Sequence, residues 1–334
     1  MSSYSIGDLS RSLLFRQQNL SLKSDAQRLS QEMTTGRASD VAAQTRGDLK
    51  PLSSIENALA KSGGYATVTG ELQRNAAAMQ TALSSVSNLS SDLANSLLGA
   101  ATSAVPSQIA AIGADARNRF ETVVSLLNTR LGDNSLFAGV ASNGPALADA
   151  DTMLTALQVA TAGATSAQDV ETTLDQWFGP SGGFEALGYS GGAALSPIGI
   201  APGEVAAHHV TATDPAIRST LKGLALAALL DRGVLAGNAT GRQDLAKRSG
   251  MALMGSADER AYLQGRLGRF EAQVSAAETR NGAEASSLEI ARANMVSVDP
   301  FETASKLEAT QTRLETMYAL TARMSRLSLV DFLR

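Results

Sequence analysis

The chain has 334 residues, 44% of them hydrophobic but only 4% aromatic, with a single tryptophan, Trp177, and a formal net charge of −4. The shortage of large rings argues against a thick α/β enzyme core, and the absence of cysteine removes disulfides, thiolate nucleophiles and cysteine-based zinc or iron–sulfur sites. Two histidines, His208 and His209, leave little for other transition-metal sites, the mild acidity gives no reason to expect nucleic acid, and no apolar run reaches the roughly twenty residues that cross a bilayer.

From Met1 to Arg16 no apolar stretch leads into a small-residue cleavage site, so no cleavable signal peptide is expected. The first predicted element is a helix from Leu9 to Met33. Leu9, Leu13 and Leu20 form one stripe, and Phe15, Leu22 and Leu29 recur at seven. A long helix follows, in which Leu72, Ala76, Met79, Leu83, Val86, Ser90, Leu93 and Leu97 succeed one another by steps of four and three. Gly99 and Pro106 punctuate the chain. Ile109, Ile112, Ala116, Phe120, Val123 and Leu127 then mark a second helix, expected to reach Leu131 and to stop at Gly132.

The character of the chain changes between Arg130 and Arg218. That stretch has no lysine or arginine and holds nine acids: Asp133, Asp149, Asp151, Asp169, Glu171, Asp175, Glu185, Glu204 and Asp214. The remaining chain sets 28 bases against 23 acids, a net of +5. Five of the eight prolines and a glycine-rich run from Gly179 to Gly203 fall in the same place, which reads as a separate insert. Within it a helix near Ala164 to Trp177 and three to five short strands are expected. Strand candidates are Ser196 to Ile200 and Glu204 to Thr211, divided by the Pro202-Gly203 turn signal.

Asp214-Pro215 is a cap followed by proline at the first helical position, opening an Ala/Leu-rich helix to about Asp231. From Arg242 to Val298 the pattern is that of one long helix with a break point near Gly255. Asp299-Pro300 restarts the chain into a last helix, whose seam is Leu307, Leu314, Met317, Thr321 and Met324, ending near Leu327. The predicted fold is mainly α: long antiparallel helical bundle or coiled-coil arms from both termini, with a small α+β insert. Three regions are expected: terminal helices at 1–40 with 299–334, a central long-helix bundle at 41–139 with 216–298, and the acidic insert at 140–215. The terminal helices have little of their own chain to pack on, so Leu9, Leu13, Leu20, Leu29, Leu307, Leu314, Met317, Met324 and Leu327 are expected to meet other molecules.

Three segments carry a resemblance. Asn128-Thr-Arg130-Leu-Gly132-Asp-Asn-Ser-Leu136-Phe137-Ala-Gly139 resembles the Asn-x-Arg…Gly…Tyr-Leu-Phe-Ser/Ala-Gly signature of hook–filament junction proteins in the flagellin superfamily. Asp299-Pro-Phe-Glu-Thr-Ala304, then Leu307, Gln311, Leu314 and Tyr318, then Ser328-Leu-Val-Asp-Phe-Leu333 is similar to that family's closing pattern. Leu29-Ser-Gln-Glu-Met-Thr-Thr-Gly36-Arg37 resembles its glycine-basic turn. Two departures stand out: Ala38-Ser39-Asp40-Val41 replaces the family's Asp-Asp-Pro, and Ser135 replaces the motif tyrosine.

The resemblance implies a structural flagellar protein and not an enzyme. Its terminal helices would be disordered in the free monomer and pair as a coiled coil on joining the axial tube, with the insert outermost. It implies export, unfolded, through the flagellar type III apparatus with the help of an export chaperone. The implied partners are flagellin, the hook-side hook-associated junction protein and further copies of the chain in a ring; no cofactor, nucleic acid or membrane is implied. A short flagellin is the alternative within the family, and a cytosolic coiled-coil scaffold the alternative outside it.

One chemical reading competes. Gly188-Tyr-Ser190-Gly-Gly192 matches the nucleophile-elbow pattern, and Glu204 and His208 follow in the order of a hydrolase triad. The pattern needs a buried strand before the serine and a helix after it, whereas here a glycine-rich run leads on to Pro197, so a loop is the expectation. His208 and His209 are expected as a solvated or hydrogen-bonded pair on opposite faces of a strand, unable to chelate one ion together. Asn19, Asn88 and Asn238 head formal glycosylation sequons that read as chance.

Overall fold

The computed structural model describes residues 6–103 and 105–332, with side chains described at 10, 13–103 and 105–323. Among the described residues there are ten α-helices, one π-helical turn and two two-stranded sheets. The chain forms two compact units, one of residues 1–63 with 283–334 and one of residues 64–282. The two longest helices, α3 (Lys50–Ser103) and α9 (Ala257–Val296), contribute to both.

The larger unit is built around α7 (Pro215–Asp231). Asp214 caps it, its carboxylate accepting from Ala216 N at 3.1 Å, and Pro215 supplies the first helical residue. Twelve of its seventeen residues are buried, so it is apolar nearly all round, as a central helix must be. It is wrapped by α4 (Pro106–Leu127), α5 (Ala150–Ala160), α6 (Ala167–Phe178) and α8 (Ala239–Gly255). The sequence seam of α3 is buried at every position from Leu72 through Leu97, and so are Ile109, Ala116, Phe120, Val123 and Leu127 of α4. The whole apolar core of this unit lies between Leu72 and Ala277.

Several elements differ from the sequence expectation. Helix α4 stops at Leu127, four residues early, because Asn128 leaves the helix to bond the backbone of Leu147. The Arg242–Val298 stretch breaks where the sequence placed its break point, α8 ending at Gly255 and α9 starting at Ala257; the difference is that α8 begins earlier, at Ala239. Asn238, read as a chance sequon, caps α8 by accepting from Gly241 N at 2.7 Å. The insert holds a helix more than expected, α5, with Asp149 at its cap and Met153, Leu154 and Leu157 buried. It also has a π-turn at Phe184–Gly188. There Trp177, Phe178 and Phe184 meet with ring centroids 4.7–6.0 Å apart, so the insert's small core is where aromatic residues concentrate.

The short strands β1 (Arg130–Leu131) and β2 (Asn134–Ser135) form one antiparallel hairpin. Strands β3 (Ile198–Ala201) and β4 (Glu204–Ala206) form the other, turning at Pro202-Gly203 as expected. The second strand ends at Ala206 rather than Thr211. Beyond it the chain turns inward, and Ala212 N donates to Phe137 O at 2.9 Å.

The charge asymmetry of the sequence becomes a set of ion pairs. Six of the nine insert acids pair with bases of α7, its C-cap, α8 and α9: Asp151 with the cap residue Arg232, Glu171 with Arg248 at 2.6 Å, Asp175 with Lys222 at 2.6 Å, Glu185 with Arg218 at 3.2 Å, Glu204 with Arg280 at 2.5 Å, and Asp214 with Arg266 at 3.0 Å. Asp149 caps α5, and Asp169 completes the capping box of Ser166 at the start of α6. Pairs of this exposure contribute about 0–1 kcal/mol each, so they orient the insert on the helices while apolar burial supplies most of the stability.

Helix α4 comes close to α7 at Gly113. A Cβ there would lie 2.9 Å from Leu230 Cβ and 3.0 Å from Asp231 N of α7. Gly113→Ala raises helix propensity by about 1 kcal/mol but overpacks this contact by about 1–3 kcal/mol. The expected result in urea unfolding is a net loss of stability; a gain near 1 kcal/mol would show that the two helices can separate freely.

Candidate assembly surfaces

In the smaller unit, α1 (Ile6–Thr35) and α10 (Pro300–Phe332) pack against each other, closed at one end by a backbone clasp. Arg37 bridges Ser297 in antiparallel fashion: Ala38 N donates to Val296 O at 2.9 Å and Val298 N to Gly36 O at 3.1 Å. The glycine-basic turn is therefore the piece that joins the N-terminal helix to the C-terminal half of the chain. Glu32 sits beneath it, buried, accepting from Arg28 at 3.2 Å and from Ser39 N at 3.0 Å. Asp40 caps α2 (Val41–Gln44), and Asp299 caps α10 by accepting from Phe301 N at 2.8 Å and Glu302 N at 3.1 Å.

The surface of this pair is unusual for its apolar content. Leu29, 5% exposed, is the one large or small hydrophobic residue buried among the described side chains of the unit. On α10 the residues buried are Thr303 and Thr310. Nine large apolar side chains of the unit are exposed, among them Leu13 at 63%, Leu20 at 64% and Phe301 at 86%. Leu307, Leu314 and Met317 are half-buried. The side chains of Leu9, Met324 and Leu327 lie outside the described residues. A shallow groove between the helices is lined by Ala26, Ser30, Thr34, Leu307 and Gln311, and Lys23 Nζ lies 5.7 Å from the centroid of the Tyr318 ring.

The internal motif lies in the larger unit and works as a fastener. The Asn128 amide pairs with both polar groups of one peptide, accepting from Leu147 N at 2.8 Å and donating to Leu147 O at 3.0 Å. The Arg130 guanidinium donates to Asp133 O, closing the turn that contains Gly132. Leu136 and Phe137 are buried in the core. Gly139 has φ +61°, and a Cβ there would lie 2.2 Å from Ala193 O. The strap is completed by Gly192 N to Ala138 O at 2.8 Å and Val140 N to Ala193 O at 2.9 Å. The motif residues thus come together, and they hold the start and the end of the insert to the end of α4.

The hydrolase constellation does not form. Ser190 N donates to Ala146 O, and no helix follows Ser190 before α7. The Glu204 carboxylate is taken by Arg280. His208 packs edge-on against Phe270, ring centroids 5.0 Å apart, with Nδ1 buried and unbonded. The expectation of a solvated histidine pair on a strand is corrected by the same facts: both residues follow β4, and only His209 is exposed. Burial, and then the neighbouring charge of His209, push the His208 pKa below its ordinary value.

The buried Glu32 and the exposed Phe301 were not singled out from the sequence. Glu32 lies on the same face as Leu29 but reads as solvent-facing, and its burial depends on the turn folding back over it. No helix among the described residues is long and apolar enough to cross a membrane.

Comparison with known proteins falls on these surfaces unevenly. Residues 256–333 match the family profile of the bacterial flagellin C-terminal helical region, which takes in α9, the Ser297 side of the clasp and α10. Comparison with curated proteins returned no match. Among solved structures, a flagellar hook-associated protein from Vibrio parahaemolyticus is similar at 12% identity, with a TM-score of 0.41, over 71% of this chain and 95% of that one. FlgL from Bacillus cereus is similar at 13% identity, with a TM-score of 0.34, over 72% of this chain and 96% of that one. At those scores neither likeness bears on function.

Asn128→Ala leaves both polar groups of the Leu147 peptide without their partner, at about 1–3 kcal/mol. The expected result is a lower urea midpoint and earlier proteolytic nicking within 140–215. An unchanged midpoint would show that the amide clamp is dispensable.

Proposed function

We propose that the chain is a structural subunit of the bacterial flagellum, and that it is the hook-associated subunit joining hook to filament. The observation that carries the reading is the apolar imbalance of the smaller unit: one buried hydrophobic residue against nine large exposed ones. The match of residues 256–333 to the flagellin C-terminal helical region supports the flagellar setting.

Magnitudes favour many neighbours over one. Covering nine side chains that are 44–86% exposed gains about 1 kcal/mol each, roughly 10 kcal/mol in total. Bringing two molecules together costs about 4–15 kcal/mol. A single contact sharing those residues is marginal, whereas an array in which each subunit touches several others divides the same cost among more interfaces. In this reading the pair of α1 and α10 docks onto hook-side subunits and further copies, and presents a surface to flagellin. The chain travels unfolded through the flagellar export channel with a chaperone on its C-terminal helix, and α1 and α10 order on assembly. The fastened insert then lies on the outside of the tube.

A second reading, a short flagellin, is favoured by the identity of the matching profile itself. A deletion strain tests the junction role: hooks that shed flagellin monomer into the medium support it, and a strain that retains full filaments argues against it.

Deletion of Leu314 to Arg334 is expected to leave the larger unit folded, with its helical circular dichroism retained, and to abolish incorporation at the hook tip. Motility restored by the truncated chain would contradict the assembly role of α10.

A further inference from the structure

The segment that includes the β3–β4 hairpin and the start of α7 runs along α9. Ile200, Glu204, Val205, His208 and Asp214 meet Asn281, Arg280, Gln273, Phe270 and Arg266 in that order, so the segment descends the helix toward its start. Most of this row is polar. Asn281 Nδ2 donates to Ile200 O at 2.8 Å, Gln273 Nε2 donates to Val205 O at 3.1 Å, and the two arginines hold the two carboxylates. The exception is His208, whose ring packs against the ring of Phe270, itself 5% exposed. Among the described residues no helix or strand lies between β4 and α7, so His208 holds the middle of an irregular stretch.

His208 Nδ1 is buried and has no hydrogen-bond partner. The charged groups on the elements around it are engaged elsewhere or solvated. On α9, Arg266 and Arg280 pair with Asp214 and Glu204, Arg269 is exposed, and Glu271 is half-buried. On α3, Glu71 and Arg74 are exposed, as is His209 beside His208. Among the described residues no carboxylate forms an ion pair with His208. An imidazolium would therefore carry a buried, charged N–H without an acceptor, which burial disfavours and the charge of His209 disfavours further. The undocked ring takes a proton near the ordinary histidine value of about 6.5, and the docked ring takes it only at lower pH. Docking is thus at full strength above the ordinary value and is lost as pH falls from there through the lower value of the docked ring.

We infer that His208 is an acid-released latch: its neutral ring seats residues 200–214 on α9, and its protonation lifts them off Phe270. The release uncovers Phe270 and loosens the β3–β4 hairpin, while the core around α7 stays closed. It belongs to the larger unit and does not depend on the flagellar reading.

The chain has two histidines, so the test follows two imidazole signals in the full chain. In proton NMR, with His209→Gln assigning the pair, His208 should titrate at lower pH than His209. Backbone hydrogen exchange over residues 198–213 is then compared with that of His208→Phe at each pH, the ratio cancelling the pH dependence of intrinsic exchange. Below about pH 6.5 the unaltered chain should lose protection relative to this variant by up to about tenfold per pH unit. His209→Gln should keep that loss. His208 titrating at or above His209, a protection ratio that stays flat, or protection that rises in acid because Phe270 holds the imidazolium would each overturn the inference. The titration of the unaltered chain decides it even if His208→Phe fails to fold.

Discussion

A helix carries one apolar stripe, and a pair of helices can hide those stripes only from each other. The pair α1 and α10 does not use that opportunity. Leu29 is buried among Glu32, Thr303 and Thr310, while Leu13, Leu20 and Phe301 face solvent. In proteins most helical stability comes from packing an apolar face rather than from propensity, and here several of the exposed positions of the thirty-residue α1 are leucine, apolar surface that the pair itself leaves uncovered. The clasp at Arg37 and Ser297 fixes which helices are partners. It does not supply a core.

The larger unit meets the opposite condition. Its central helix is buried nearly all round, and the insert is fastened by the Asn128 amide, the Gly139 strap and six ion pairs. These devices differ in kind. Apolar burial around α7 supplies the stability, the backbone strap sets where the insert begins and ends, and the charges orient it. Small residues serve the close packing: Gly113 lets α4 touch α7, and Gly223 leaves room for Leu253 of α8. The low aromatic content suits that packing, and Trp177, Phe178 and Phe184 gather in the insert.

Much of the fold was legible because helical period and caps are local signals. The seam from Leu72 to Leu97, the Asp214-Pro215 start and the Asp299-Pro300 restart are all read within a few residues. Helix α5 could also have been found, since Asp149 precedes Met153, Leu154 and Leu157 at helical spacing. Other features depend on distant partners. The end of α4 at Leu127 is set by Leu147, the end of β4 by the pull of Phe137 on Ala212, and the burial of Glu32 by the turn that covers it. The acidic insert and basic arms were visible as totals, but which acid meets which base is a property of the fold. Of the residues expected at the assembly surface, the exposed Leu13 and Leu20 and the buried Leu29 look alike in sequence, because the pattern marks a stripe without saying what covers it.

The most direct test of the central claim is hydrogen exchange of the backbone amides in the free chain and in assembled flagellar structures. If the pair depends on neighbours, amides of α1 and α10 exchange rapidly in the free monomer while those of α7 stay protected, and protection of α1 and α10 rises steeply on assembly. Protection of α1 and α10 equal to that of α7 in the free monomer would contradict the account.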